Sequence, residues 1–373
     1  MHRRKIFNHD IMTCTDQAVC GNYLYCGRIL GATEPDDVVQ LHPALQRDWQ
    51  AIAAHYDRIG LSYSQTPVWD VSLRMLAAFC DRDISVFYFG DTTSPTSPAS
   101  EWFRRLNPKR SQTVSSINCK NHFIQLAEEL GVSVPKTVRF PCKAAIQFDD
   151  DLPYPCYLKL AVSVSGVGIY RCQDEWALRR ALLEMPEDAP LQIQQEVVTS
   201  RFLNLQYHVT EQGAEPLAAT EQLLDGCVHI GNRYPTCHQP WAMVEPIAHW
   251  MAARGMQEIF AFDIAVVEDG DQPRYYVLEC NPRFNGASYP TGIARKLGLT
   301  EWTTETFTTT YRSLADLDLT GLEFNADAGS GAILVNWGTV QVGKLGVLIA
   351  GSLQQQQAVR SQLQHRLLQL QPV

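Results

Sequence analysis

The spacing of apolar and polar positions changes period several times along the chain. Phe123, Leu126, Ala127 and Leu130 recur at i, i+3, i+4 and i+7, which lines one face of a helix. Gly131 supplies a C-terminal stop for it, and Pro135 forbids its continuation. Asp174 is placed to cap a second helix, in which Leu178, Leu182 and Met185 share a face. Short apolar runs at 84–90, 157–162, 169–171, 191–198 and 203–209 have the length and residue types of strands. A helix ends at Gly255, and the runs 261–267 and 275–279 form a hairpin across the turn-rich stretch 268–273. A second hairpin joins 332–337 to 345–350. Residues 72–80 read as a helix, and the Ser/Thr/Pro-rich stretch 92–100 reads as a loop. The part up to residue 115 therefore looks α/β. The remainder alternates as α+β with antiparallel pairs, unlike a simple βαβαβ dinucleotide fold.

Composition narrows the class. The chain has 373 residues, 45 % hydrophobic and 19 % charged, which suits a soluble multidomain protein and excludes a coiled coil or a disordered chain. With 31 Lys plus Arg against 40 Asp plus Glu, the net charge of −9 argues against nucleic acid as the main partner. No apolar run reaches the roughly 20 residues that span a bilayer. The basic start of the chain is interrupted by Asn8, His9 and Asp10 before a signal-peptide core can form. Eleven scattered cysteines, with no Cys-x-x-Cys pair, read as reduced thiols in a cytoplasm. Cys14, Cys20 and Cys26 recur every six residues, a spacing that fits no common zinc or iron–sulfur site.

Candidate chemistry concentrates in the first hairpin. Residues two apart in a strand face the same side, so Glu279 and Asn281 project together. If Val267 pairs with Tyr275, Asp263 lies opposite Glu279 and three oxygen ligands converge. That is a hard-ligand set suited to Mg²⁺, with positions left for water and phosphate. A solvated strand end would have the same spacing. Arg283 could hold a phosphate or carboxylate by paired hydrogen bonds. Lys159 sits in an otherwise apolar strand and is followed by a small-residue loop, in which Gly166 and Gly168 let backbone N–H groups approach an anion. A hairpin with a snorkelling lysine is the alternative.

The order Lys120, Lys159 with its loop, Gln195-Glu-Val-Val198, Phe262-Asp-Ile264 and Leu278-Glu-Cys-Asn-Pro-Arg-Phe-Asn-Gly286 resembles the ATP-grasp superfamily over residues 116–300. The resemblance implies an ATP-grasp fold with an N-terminal α/β (pre-ATP-grasp) domain at 1–115, a small lid subdomain at 116–190 and a catalytic domain at 191–373. It implies ATP and two Mg²⁺ ions, with Mn²⁺ as an alternative. Lys120 and Lys159 would contact ATP phosphates, and the loop with Ser165, Gly166 and Gly168 would close over them. Glu196 and Val198 would form the adenine hinge, and Asn204 would take the ribose. Asp263, Glu279 and Asn281 would hold the metal. Arg283 would steady the transferred phosphoryl group.

The implied reaction activates a carboxylate as its acyl-phosphate, which an amine then attacks, releasing ADP and phosphate. Its partners would be a small carboxylic acid and an amine such as an amino acid; a homodimer is left open. Glu221, Arg233 and Ser288 are candidate substrate contacts, with loop polarity the alternative for each. Three departures stand out. Leu160 replaces the proline usual after the second lysine, the phosphate loop carries only two glycines, and Asn204 and Gln206 stand where an acidic or histidine ribose contact is usual. These departures suggest a second reading, a catalytically silent nucleotide-binding module. A biotin-type carboxylase is a third, and no biotinylation segment occurs in the sequence.

Overall fold

The computed structural model describes residues 4–12, 19–90, 98–148, 151–163, 168–226, 228–268 and 272–368. Cys14, Ser165 and Gly166 lie outside them.

Four short strands open the chain: β1 (Lys5–Asn8), β2 (Val38–Gln40), β3 (Thr66–Val68) and β4 (Asp83–Val86). They form a parallel sheet in the order β3-β2-β1-β4, with helix α1 (Trp49–Arg58) in the crossover between β2 and β3. Alternate residues of a strand face opposite ways, and here both faces are buried. Ile6 and Val38 enter one core with Val114, Phe123 and Phe260. Phe7 and Val39 enter another with Ile293, Trp302 and Trp337. The expected helix at 72–80 is a 3-10 segment, Leu73–Ala78.

Helices α2 (Pro98–Leu106), α3 (Pro108–Asn118) and α4 (Lys120–Glu129) follow. The first begins inside the stretch expected to be a loop, and α3 runs through position 115, where a boundary was expected. Asn107 caps α3 by accepting from the Arg110 N–H, with Pro108 at the first position. Gly131 ends α4 at φ 70°, as its residue type requires.

A second, antiparallel sheet runs β5-β8-β6-β7, built from β5 (Thr137–Phe140), β6 (Cys156–Leu160), β7 (Ile169–Cys172) and β8 (Leu191–Gln195). Helix α5 (Glu175–Leu183), capped by Asp174, packs on it. Phe140, Leu158, Leu178, Leu182 and Ile193 give this unit its own small core. Strand β8 therefore belongs to this sheet, past position 190.

The rest is one eight-stranded antiparallel sheet. Its strands are β9 (Arg201–Thr210), β10 (Gly213–Asp225), β11 (Val228–Tyr234), β12 (Glu258–Val267), β13 (Arg274–Asn281), β14 (Trp302–Thr308), β15 (Gly331–Asn336) and β16 (Lys344–Ala350). The order is β13-β12-β9-β10-β11-β14-β16-β15, and both expected hairpins, β12–β13 and β15–β16, are present. Helices α6 (Trp241–Ala253), α7 (Ser288–Lys296) and α8 (Leu353–Leu367) complete the chain. Among the described residues no helix is long and apolar enough to cross a membrane.

Candidate active site

The β12–β13 pairing places Asp263 opposite Glu279, as the sequence suggests, but by a different route. Val267 pairs with Arg274 rather than Tyr275, and a bulge between Asp263 and Ile264 restores the register. Asp263 also lies opposite Asn204 on β9, whose neighbour β10 brings Gln222 alongside. Three amides then converge on one carboxylate. Asn204 Nδ2 and Gln222 Nε2 donate to Asp263 Oδ1 at 2.8 and 2.6 Å, and Asn281 Nδ2 donates to Oδ2 at 2.8 Å.

Desolvation, followed by the charge of Glu279, pushes the Asp263 carboxyl up to about 7. Glu279 moves the other way. Desolvation would raise it, but Lys120, Lys159 and Arg283 outweigh that and hold it below the usual range. The side chain keeps 36 % exposure, toward the cleft. Among the described residues no three His, Cys, Asp or Glu side chains cluster as a metal cage. The donor set is instead two carboxylates and an amide, which suits Mg²⁺ that shares its shell with phosphate and water. Two adjacent carboxylates, one raised by the other's charge, are what a divalent cation would relieve. The residues fit the ion.

Lys120 opens α4, and its backbone N–H donates to Ala161 O at 2.7 Å, tying the helix start to the end of β6. Its buried Nζ lies 3.6 Å from Glu279 Oε2 and donates to Ser163 Oγ at 3.2 Å. Lys159 projects from the opposite face of β6 to the buried Leu158 and donates to Gln194 Oε1 at 2.7 Å. Arg283 Nη1 donates to Asn118 Oδ1 at 3.3 Å, and its guanidinium lies 5.8 and 5.9 Å from the Phe87 and Tyr88 ring centres. Asn118, Lys120, Ser163, Glu279, Asn281 and Arg283 line one cleft of about 60 Å³.

The other expected contacts fall in three groups. Gly168 stands just before β7 with φ 72°, and a Cβ there would meet Leu160 Cδ1 at 2.8 Å. The departure at Leu160 thus packs over the loop's glycine. If the cleft takes ATP, Gly168→Ala, which distorts this turn, is expected to raise KM for ATP about tenfold or more; steady-state kinetics at varied ATP measures it.

Glu196 makes a paired ion contact with Arg171 at 2.7 and 2.8 Å, which holds its carboxyl low, and its N–H is taken by Pro155 O. Val198 is exposed. Asn204 belongs to the Asp263 cluster, since its Nδ2 donates to Asp263 Oδ1, and its amide oxygen accepts from Asn285 Nδ2 at 3.3 Å. Glu221 pairs across the strands with Arg233 at 3.5 Å and with Arg201 at 3.3 Å, so the two proposed substrate contacts also neutralise each other. Ser288 is buried, and its Oγ donates to Asn285 Oδ1, holding Asn285 against Asn204.

Asn118 and Asn285 were not singled out. Neither has a local signal beyond proximity, Asn118 two positions before Lys120 and Asn285 two after Arg283. Of the Cys14, Cys20 and Cys26 series, Cys20 is an exposed free thiol and Cys26 a buried one, which burial pushes up to about 12.

Solved structures match this architecture over nearly its whole length. An N5-carboxyaminoimidazole ribonucleotide synthetase in complex with ADP superposes with TM-score 0.61 at 13 % identity, covering 98 % of this chain and 100 % of that one. An L-amino acid ligase from Bacillus licheniformis gives 0.58 at 12 %, covering 100 % of both. A biotin carboxylase from Campylobacter jejuni gives 0.56 at 12 %, covering 94 % and 88 %. The fold is therefore that of the ATP-grasp enzymes. No protein-family model matches the chain, and no curated protein matches it by sequence.

Proposed function

We propose that the chain is an ATP-dependent carboxylate–amine ligase working through an acyl-phosphate. The observation that carries this reading is one cleft lined by Lys120, Glu279, Asn281 and Arg283, with Asp263 bonded to Asn281 and the Lys159 charge also acting on Glu279. Phosphoryl transfer is mostly positioning and charge stabilisation, so this set needs no protein nucleophile. Lys120 and Lys159 would bind the ATP phosphates from two sides, with the loop ending at Gly168 over them and the Glu196–Val198 hinge at the adenine. Asp263, Glu279 and Asn281 would hold Mg²⁺, which when bound neutralises phosphate charge. Asn204 and Gln222 orient Asp263, and Arg283 steadies the phosphoryl group. A cleft of about 60 Å³ holds a few waters, not a triphosphate, so the lid with its separate core would swing away to admit ATP.

On this reading 1–115 forms the lead domain, the segment from 116 the lid and the remainder the catalytic domain, acting on small acids and amines in a cytoplasm. The silent-module alternative is disfavoured by Asp263 and Glu279. Their mutual repulsion costs stability that a binding module has no need to bear.

The deciding experiment measures Mg²⁺- and ATP-dependent phosphate release over pairs of acids and amines, with mass spectrometry of each hit. Silence across a broad set with tight ATP binding would favour the module. Absence of ATP binding would overturn both.

Metal binding carries a pH signature. With Asp263 near 7, the ion must displace a proton below that pH. Mg²⁺ affinity is expected to fall as pH drops from 8 to 6, with proton release detected by calorimetry in buffers of different ionisation enthalpy. The metal-free protein shows the converse. A carboxyl raised on folding binds its proton more tightly in the native state, so its contribution to stability is lost as pH rises from the unfolded value through about 7. Asp263→Asn, which cannot titrate, is therefore expected to flatten the pH dependence of the melting temperature between pH 4 and 8 in the metal-free protein.

A further inference from the structure

One cation beside the cleft is unused by this chemistry. Arg28 lies in the 3-10 segment Asn22–Ala32, which packs tightly on α7: a Cβ at Gly31 would meet Ile293 Cδ1 at 2.7 Å. Its guanidinium is held among three rings, 4.3 Å from the centre of Tyr289, 4.9 Å from Phe87 and 5.3 Å from Tyr25. Among the described residues no carboxylate pairs with it, and its buried Nε and Nη2 have no hydrogen-bond partner. Aromatic contact engages a guanidinium through its charge and leaves its in-plane N–H fork unspent. Buried donors left without a partner call for an explanation, and a ligand is one.

The neighbourhood says which ligand. Phe87 also lies 5.8 Å from the Arg283 guanidinium, so the two arginines share one ring. On the Arg283 side, buried Asn118 holds Arg283 with its Oδ1 while its Nδ2 has no partner. Nearby His9 cannot compete as an anion or a cation. It is fully buried, bonded to Tyr289 OH and Ser85 Oγ, and burial pushes it down to about 3, so it is neutral.

Resting on the ligase reading, we infer that Arg28 receives a second anionic group, carboxylate or phosphate, on the acid whose reacting carboxylate is handled at Arg283 and Asn118. The acyl substrate is thus a short dianionic acid rather than a simple monocarboxylate, and the lead domain supplies the specificity.

The test uses the full chain and three probes of similar length: glutarate, 4-phosphonobutyrate and valerate. Binding is measured by calorimetry with and without Mg²⁺ and ADP, and ADP formation is measured with ATP and an amino acid mixture. At least one dianion is expected to bind about ten- to a hundredfold tighter than valerate, the worth of one charged paired hydrogen bond. Which dianion wins distinguishes carboxylate from phosphate. Arg28→Gln is expected to collapse that ratio, and in turnover to raise KM for the dianion more than it lowers kcat. Arg28→Lys keeps a cation among the rings but loses the fork, so it should retain part of the ratio without loss of folding. Equal binding of all three acids, no binding of any, or a ratio that survives both substitutions overturns the inference. Binding preference without ADP formation from any acid sustains Arg28 as the anion receiver and counts against the ligase reading alone.

Discussion

Glu279→Gln is expected to lower ADP formation at least about a thousandfold while the protein stays folded. The amide preserves the shape but removes the charge that Lys120, Lys159 and Arg283 all address. It also removes one of only two carboxylates in the proposed metal set, leaving Asp263 alone among amides. The Glu279 side chain is 36 % exposed and glutamine fills the same volume, so thermal unfolding should move by no more than a few degrees. The charge change has a second readout. Without its negative neighbour, Asp263 should titrate below 7, and the pH dependence of Mg²⁺ binding should shift down with it. Activity within tenfold of the parent would remove Glu279 from the chemistry.

Arg283→Ala is the companion test, with an expected loss of about a hundred- to a thousandfold in kcat. Arg283 is held by Asn118 and lies over Phe87 and Tyr88, so its fork is preset before any ligand arrives. Removal should depress phosphoryl transfer far more than ATP affinity, because Lys120 and Lys159 remain. Arg283→Lys should recover only a fraction, since an ammonium restores charge but not two parallel hydrogen bonds. A single-turnover measurement separates the two effects. A variant that changed KM for ATP alone would reassign Arg283 to nucleotide binding.

How much of this was legible in the sequence varied with the range of the signal. The helix through Phe123 and Ala127 and the Asp174 cap were readable because their cause is local periodicity and local hydrogen bonding. Helix α3 escaped because its buried face includes Arg110, Ser111 and Thr113, so no apolar stripe marks it; the Asn107-Pro108 start was its only signature. The Asp263–Glu279 pairing came from counting outward from the hairpin turn. That count was off by one at the turn, and a bulge no pattern announces cancelled the error. Of the amide cluster around Asp263, only Asn281 was within reach, as the same-face neighbour of Glu279. Asn204, Gln222 and Asn285 sit on separate elements, and only strand order brings them together.

The leading parallel sheet, sealed on both faces, makes the chain hard to dissect. A truncated form that starts after β4 would bare two separate oily surfaces, one on the α3, α4 and β12 side and one on the α7 and β14 side. Such a fragment should accumulate in inclusion bodies rather than act as a minimal enzyme. Co-expression of the missing N-terminal piece as a separate polypeptide should bring it back into solution, because the two halves would be held together by burial and not by the peptide bond between them.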